Sequence, residues 1–264
     1  MRLLSTFVAG LILYPLSVYA STTFNLGIAS PFAAFSGSTV TNTGATNIYG
    51  NIGVWPGNQV SGFPPGIQTA GSQHLGDNLA MQAFIDINSA FSAAASAGCG
   101  SDLSGQNLGG RTLTAGVYCF DSAAQLNGAL TLDAQGDPNA FFLFQITTSL
   151  TTADGSAVLF ANEGTGTNVY WQVVSSANLG ASSVFAGNIL ALGSITLGSG
   201  AMIQCGGALA LNGAVTLDSN NISACATIPA DPAFAPEPNT GSVLLFIGLP
   251  SLLWFHKRKS RARA

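Results

Sequence analysis

The chain has 264 residues, of which 7% are charged, with a formal net charge of −4 and a mean hydropathy of +0.41. Apolar residues make up 47%, which excludes a chain disordered by composition. Every basic residue except Arg111 (Arg2, Lys257, Arg258, Lys259, Arg261 and Arg263) lies near one of the two ends. No nucleic-acid partner is expected, because a phosphate backbone is held by clustered Lys and Arg.

Residues 1–20 have the layout of a secretory signal peptide: Arg2, then an apolar run from Phe7 to Leu13, then Val18-Tyr19-Ala20 before Ser21. A membrane anchor is the alternative, but that run is too short to span a bilayer. In residues 24–70, Val40-Thr41-Asn42-Thr43-Gly44-Ala45-Thr46 with Ile48 lines up with Ile195-Thr196-Leu197-Gly198-Ser199-Gly200-Ala201 with Ile203. Gly62-Phe63-Pro64-Pro65-Gly66 closes that segment as a loop. Between 72 and 97 the pattern changes. Ala80, Phe84, Ile87, Phe91 and Ala94 recur at helical spacing, and Gly98 is a natural stop. A helix over about 76–97 is expected, covering one face of the remaining structure.

From 103 onward short alternating segments return. Leu130-Thr131-Leu132 and Leu150-Thr151-Thr152 read as strands, as do the aromatic runs Phe141–Ile146 and Val169–Val174. The register of Leu150–Ser156 is ambiguous by one residue, and a slip of one exchanges the inward and outward faces. The pattern is clearest from 177 to 225. Gly187-Asn188-Ile189-Leu190-Ala191-Leu192 with Ile195-Thr196-Leu197 is followed by Gly206-Gly207-Ala208-Leu209-Ala210-Leu211 with Val215-Thr216-Leu217. Such units, about twenty residues long, cannot bury their inner faces alone but do so when stacked. The fold class is therefore an all-β solenoid with one long helix alongside.

Cys99, Cys119, Cys205 and Cys225 fall in two pairs, each separated by about one repeat. Neighbouring rungs lie within disulfide reach, so Cys99–Cys119 and Cys205–Cys225 are the expected bridges. A metal site is disfavoured by the absence of a Cys-x-x-Cys motif and by the single body histidine, His74. The carboxylates Asp121, Asp133, Asp137, Asp154 and Glu163 are scattered near turns. They make no acid–base pair of the kind glycoside cleavage uses. Neither an enzyme nor a cofactor is expected, and His74 reads as a capping or surface residue.

At the far end, Pro236-Glu237-Pro238, an apolar run over 240–255 and a basic tail follow in order. This arrangement resembles the PEP-CTERM sorting signal of exopolysaccharide-producing Gram-negative bacteria. The resemblance implies cleavage near Pro236 by an exosortase-type enzyme, with a plain C-terminal anchor as the alternative. The domains are then the signal peptide (1–20), the β-solenoid (21–235) and the sorting signal (236–264).

The segments LGIASPFAAFSGSTVTNTG, GNIGVWPG, LTAGVYCF, LTLDAQGDPNAFFLFQI, GNILALGSITLGSGA and GALALNGAVTLDSNNI resemble the microbial ice-binding proteins of the DUF3494 type. The likeness covers roughly residues 24–225. It implies a right-handed, discontinuous β-helix of triangular section, monomeric, that adsorbs to ice through one face and slows ice growth and recrystallisation. Aligning the rungs on their central Thr gives one column: Thr41, Thr131, Thr151, Asn178, Thr196 and Thr216. Five residues on, Thr46, Gly136, Ser156, Ser183, Ala201 and Asn221 form a second. Thr43-Gly44-Ala45-Thr46 is similar to the family's ice-face motif, which adds Thr43. These columns are the expected ice-binding residues, with another side of the solenoid as the alternative. Asp133 and Asp218 would sit badly in such a face. A structural or adhesive protein of an exopolysaccharide matrix is the rival function.

Overall fold

A computed structural model describes residues 24–225; the signal peptide, Pro236, Glu237, Pro238 and the 240–255 run lie outside the described residues. The chain repeatedly visits three parallel sheets in turn. One circuit shows the rule. Phe142–Ile146 belongs to sheet 1, Leu150–Thr152 to sheet 2 and Ala157–Ala161 to sheet 3, and Val169–Val173 is back in sheet 1 beside the strand that began the circuit. Among the described residues, sheet 1 has nine strands, sheet 2 seven and sheet 3 eight.

Alternation explains the strands. In sheet 2, Ile195 and Leu197 are buried while Thr196 between them is exposed. The same triplet recurs as Val215-Thr216-Leu217 and Ala177-Asn178-Leu179. The register of Leu150–Ser156 is settled: Leu150 and Thr152 point in and Thr151 points out. Inside the coil the apolar side chains stack from circuit to circuit. Phe144 lies on Trp171 with ring centroids 3.9 Å apart and planes 8° from parallel, and Trp171 lies 4.8 Å from Phe185. The one polar atom of that ladder, Trp171 Nε1, donates to the Ala186 carbonyl at 3.0 Å, so no donor is lost on burial.

The circuits do not stack in chain order. Phe32–Ser36 pairs with Ala208–Ala210, and Thr39–Asn42 with Val215–Leu217. The first circuit of the chain therefore sits on the last. Asn51–Val54 and Gln73–Leu75 continue outward from it, while Ser101–Asp102 forms the opposite end of sheet 1. The chain must cross between these ends, and helix α1 (Asn78–Ser96) makes the crossing. Its 19 residues reach about 28 Å, most of the way along a nine-stranded sheet. Its buried stripe is Ala80, Ala83, Ile87, Ala90, Phe91 and Ala94. These residues pack on the outward side chains of sheet 1, among them Leu143, Tyr170, Leu190 and Leu209.

The helix ends are satisfied differently. Asp77 caps the start by accepting from Ala80 N–H at 2.8 Å, and His74 Nδ1 lies 2.9 Å from its other oxygen. At the end, the left-handed glycine expected at Gly98 is not used; the chain turns extended at Ala97. Gln145 of sheet 1 instead donates its Nε2 to the Ala94 and Ala97 carbonyls, both at 2.7 Å. The disulfides Cys99–Cys119 and Cys205–Cys225 are formed, with Cα–Cα distances of 5.8 and 4.3 Å.

Two outcomes are expected. Phe144→Ala removes the ring between Tyr118 and Trp171 and lowers the urea-derived unfolding free energy by about 3–5 kcal/mol. Burial alone would raise the Asp77 carboxyl, but the Ala80 N–H and His74 hold it below its ordinary 3.8. A depressed folded pKa gives stability that is present above pH 3.8 and lost as pH falls through the folded value. Asp77→Asn still caps, so its unfolding curves between pH 5 and 2, taken against wild type, lack that component.

Candidate functional site

Sheet 1 is covered by α1, and among the described residues sheets 2 and 3 have free outer faces. In five of the sheet 2 strands the middle of three residues points outward, in the other two Thr41 and Ser61 do, and parallel pairing fixes these residues opposite one another. Gln125 pairs with Thr151, Thr151 with Asn178, Asn178 with Thr196, Thr196 with Thr216, Thr216 with Thr41, and Thr41 with Ser61. The result is one unbroken row with a step of roughly 4.7–4.9 Å. Every member is uncharged, and four are threonine. Beside it runs a row of residues two positions earlier: Ser149, Ser176, Ser194, Ala214 and Thr39. Two of these serines are fixed across circuits. Ser176 Oγ accepts from Ser194 N–H and Ser194 Oγ from Ala214 N–H, both at 3.2 Å.

No charged residue occurs in any strand of sheet 2. Asp154 and Asp218 lie in the turns that leave it, where Asp154 accepts from Ala181 N–H at 2.8 Å and Asp218 from Ser219 Oγ at 3.1 Å. Sheet 3 differs. Asp133 ends one of its strands, where the Asn162 amide and the Gln135 N–H hold its carboxyl below the ordinary range. Its outer face carries side chains of unequal size, including Tyr49, Leu159, Met202 and Gln204.

The expected first column is therefore brought together at Thr41, Thr151, Asn178, Thr196 and Thr216, but not at Thr131. Thr131 stands in sheet 3, opposite Thr112 and Leu159. Leu130-Thr131-Leu132 has the same in–out–in pattern as the sheet 2 triplets, and that pattern does not identify a sheet. The sheet 2 strand of that circuit is Ala124-Gln125-Leu126. Spacing reveals it: four positions separate the end of the sheet 1 strand from the start of the sheet 2 strand in Phe120/Ala124, Ile146/Leu150 and Val173/Ala177.

The second column is not a surface. Thr46, Ser156, Ser183 and Ala201 are buried at the corner between sheets 2 and 3. Asn221 is exposed but belongs to sheet 3, and Gly136 lies in the turn that leaves sheet 3. The cause is backbone geometry. Gly155, Ser182, Gly200 and Ser219 in four successive circuits have positive φ, and a left-handed residue interrupts the strand alternation. The residue after each one turns inward: Ser156, Ser183, Ala201 and Asn220. Two of the polar members, Thr46 and Ser183, bond within the corner, whereas Ser156 Oγ is buried without a partner among the described residues. Thr46 Oγ1 donates to Asn42 Oδ1 at 2.6 Å and accepts from Asn220 N–H at 2.9 Å. Ser183 Oγ donates to the Gly180 carbonyl at 2.8 Å. Thr43 remains exposed, one step past its strand.

With this geometry in place, comparison with known proteins gives a consistent result. A family model described as ice-binding-like matches residues 34–223. An ice-binding protein of Nostoc sp. (strain HG1) is 50% identical over 237 residues, covering 89% of this chain and 87% of that one. The crystal structure of an ice-binding protein from an Antarctic biological consortium superposes with a TM-score of 0.75 at 45% identity, covering 80% of this chain and 95% of that one. The ice-binding protein of the Antarctic ascomycete Antarctomyces psychrotrophicus gives 0.74 at 41%, covering 77% and 99%.

The corner assignment has a direct check. Thr46→Val keeps the shape but leaves Asn220 N–H and Asn42 Oδ1 without that partner. It is expected to cost about 1–3 kcal/mol of unfolding free energy in urea. A surface threonine would cost a few tenths.

Proposed function

The chain belongs to the ice-binding-like family, and on that premise we propose that it adsorbs to ice through the outer face of sheet 2 and so inhibits ice growth and recrystallisation. The observation that carries the assignment of the face is the unbroken, uncharged, register-matched row Gln125–Thr151–Asn178–Thr196–Thr216–Thr41–Ser61. Thr43 and the flanking serines extend it.

An ice plane is a lattice of water with fixed spacings, so a surface that holds it must repeat in two directions. Strand stacking supplies one repeat of roughly 4.7–4.9 Å, and outward positions two residues apart supply a second of about 6.6 Å. Threonine suits such positions. Its hydroxyl holds a water by donating and accepting, and its methyl leaves the adjacent site weakly hydrated. A carboxylate would hold water in another orientation, and the strands of sheet 2 contain none. Each contact is worth little. A rigid face loses little conformational freedom on docking, which lets small terms accumulate.

The same reading takes the three parallel sheets as the sides of a right-handed β-helix of triangular section. It takes the chain as a non-enzymatic, exported protein of a Gram-negative bacterium. Residues 1–20 direct export, and Pro236-Glu237-Pro238 with the 240–255 run serves for exosortase-type processing. The protein is then secreted or held in the extracellular matrix.

Sheets 2 and 3 are distinguished by a pair of bulky substitutions. Thr196→Tyr stands in the middle of the sheet 2 row and Thr131→Tyr on sheet 3. With both variants folded, Thr196→Tyr is expected to need about tenfold more protein to stop recrystallisation, by loss of close approach across the face, and Thr131→Tyr to match wild type. The reverse ranking would move the site to sheet 3.

A further inference from the structure

We infer that Asn212 is a site of spontaneous self-modification: its side chain closes on the Gly213 amide, loses ammonia and leaves a carboxylate beside sheet 2. The modification is independent of the ice reading, and its effect on the face rests on that reading.

The chain holds two Asn-Gly pairs, Asn127-Gly128 and Asn212-Gly213. Glycine has no Cβ, so its amide nitrogen is the least hindered nucleophile for the asparagine before it. Asn127 and Asn212 are both exposed, and among the described residues neither side-chain amide has a hydrogen-bond partner. Exposure therefore does not separate the two pairs, but their backbone contacts do. Ring closure requires the Asn-Gly peptide plane to turn. In the first pair that plane is held. Asn107 Nδ2 donates to the Asn127 carbonyl at 3.0 Å, and Gly109 packs so closely on this carbonyl that any side chain there would strike it. In the second pair neither the Asn212 carbonyl nor the Gly213 N–H is bonded among the described residues. The fixed points lie on either side of the plane. Asn212 N–H donates to the Leu192 carbonyl at 3.0 Å, and the Gly213 carbonyl accepts from Ser36 Oγ at 2.8 Å. A hydrogen bond that must open first lowers the reactive fraction by about two- to tenfold.

The step needs water alone. Gly213 N attacks Asn212 Cγ, the new N–Cγ bond forms as Cγ–Nδ2 breaks, and ammonia leaves with the proton that Gly213 N gave up. Water then opens the cyclic imide at one carbonyl or the other, giving aspartate or isoaspartate. Both products damage the neighbouring face. Asn212 stands two positions before Ala214 of the second row and four before Thr216 of the first. Aspartate puts a charge beside strands that carry none. Isoaspartate adds a backbone carbon where the stack has no room: a Cβ on Gly213 would lie 2.5 Å from both the nitrogen and the Oγ of Ser194. The face thus carries its own chemical clock.

The test incubates the full folded chain at mildly alkaline pH, which favours deprotonation of the Gly213 amide, and follows both pairs by peptide mapping and mass spectrometry. Asn212 is expected to convert about two- to tenfold faster than Asn127. In urea the two should convert at equal rates. Asn107→Ala should bring Asn127 up to the rate of Asn212 and leave Asn212 unchanged. Recrystallisation inhibition should fall in step with Asn212 conversion and persist in Asn212→Gln. Conversion of Asn127 as fast as Asn212 in the folded wild type overturns the site. Conversion of Asn212 with full inhibition retained overturns its effect on the face. Fresh protein that does not inhibit recrystallisation overturns the ice reading instead and leaves the modification site standing.

Discussion

Parallel register between successive circuits is the constraint on which this structure depends. Each strand takes its position from the strand beneath it, so a side chain that points outward in one circuit points outward at the same place in the next. That rule turns threonines far apart in sequence, Thr41, Thr151, Thr196 and Thr216, into members of the single row from Gln125 to Ser61. The same rule stacks Phe144 on Trp171 inside the coil. Face and core are two sides of one ladder, and slipping any circuit by one residue would damage both.

The discontinuous order of circuits adds a second requirement. The first described circuit sits on the last, so residues 32–42 and 208–217, far apart in the chain, must meet in register. Recognition is built into the corner between sheets 2 and 3. There Thr46 Oγ1 donates to the Asn42 side chain and accepts from Asn220 N–H, while the Asn42 and Asn220 side-chain amides donate to the turn carbonyls of Gly44 and Gly198. Helix α1 then spans the distance that this order creates and covers sheet 1, which removes that sheet from consideration as a contact face.

Much of this is legible in the sequence because alternation survives in triplets as short as Ile195-Thr196-Leu197. The helix, the disulfide pairs and five members of the row follow from spacing alone. What alternation cannot show is which sheet a triplet joins, and Leu130-Thr131-Leu132 therefore reads as sheet 2 when it lies in sheet 3. Nor can it follow the chain through a left-handed turn. Ser182 and Ser219 adopt positive φ without being glycine, so nothing local warns that Ser183 and Asn220 turn inward. The end of α1 is hidden for a different reason: its carbonyls are met by Gln145, a residue far along the chain. Long-range contacts of this kind leave no local trace.

Everything here depends on which side chains touch ice. Solid-state NMR polarisation transfer from ice protons to threonine methyls, in frozen ¹³C-threonine-labelled protein with assigned resonances, reads this directly. Fast build-up at Thr41, Thr151, Thr196 and Thr216, with Thr112 and Thr131 lagging, is the expected result. Earlier build-up at Thr112 and Thr131 would place the ice on sheet 3 and contradict the account.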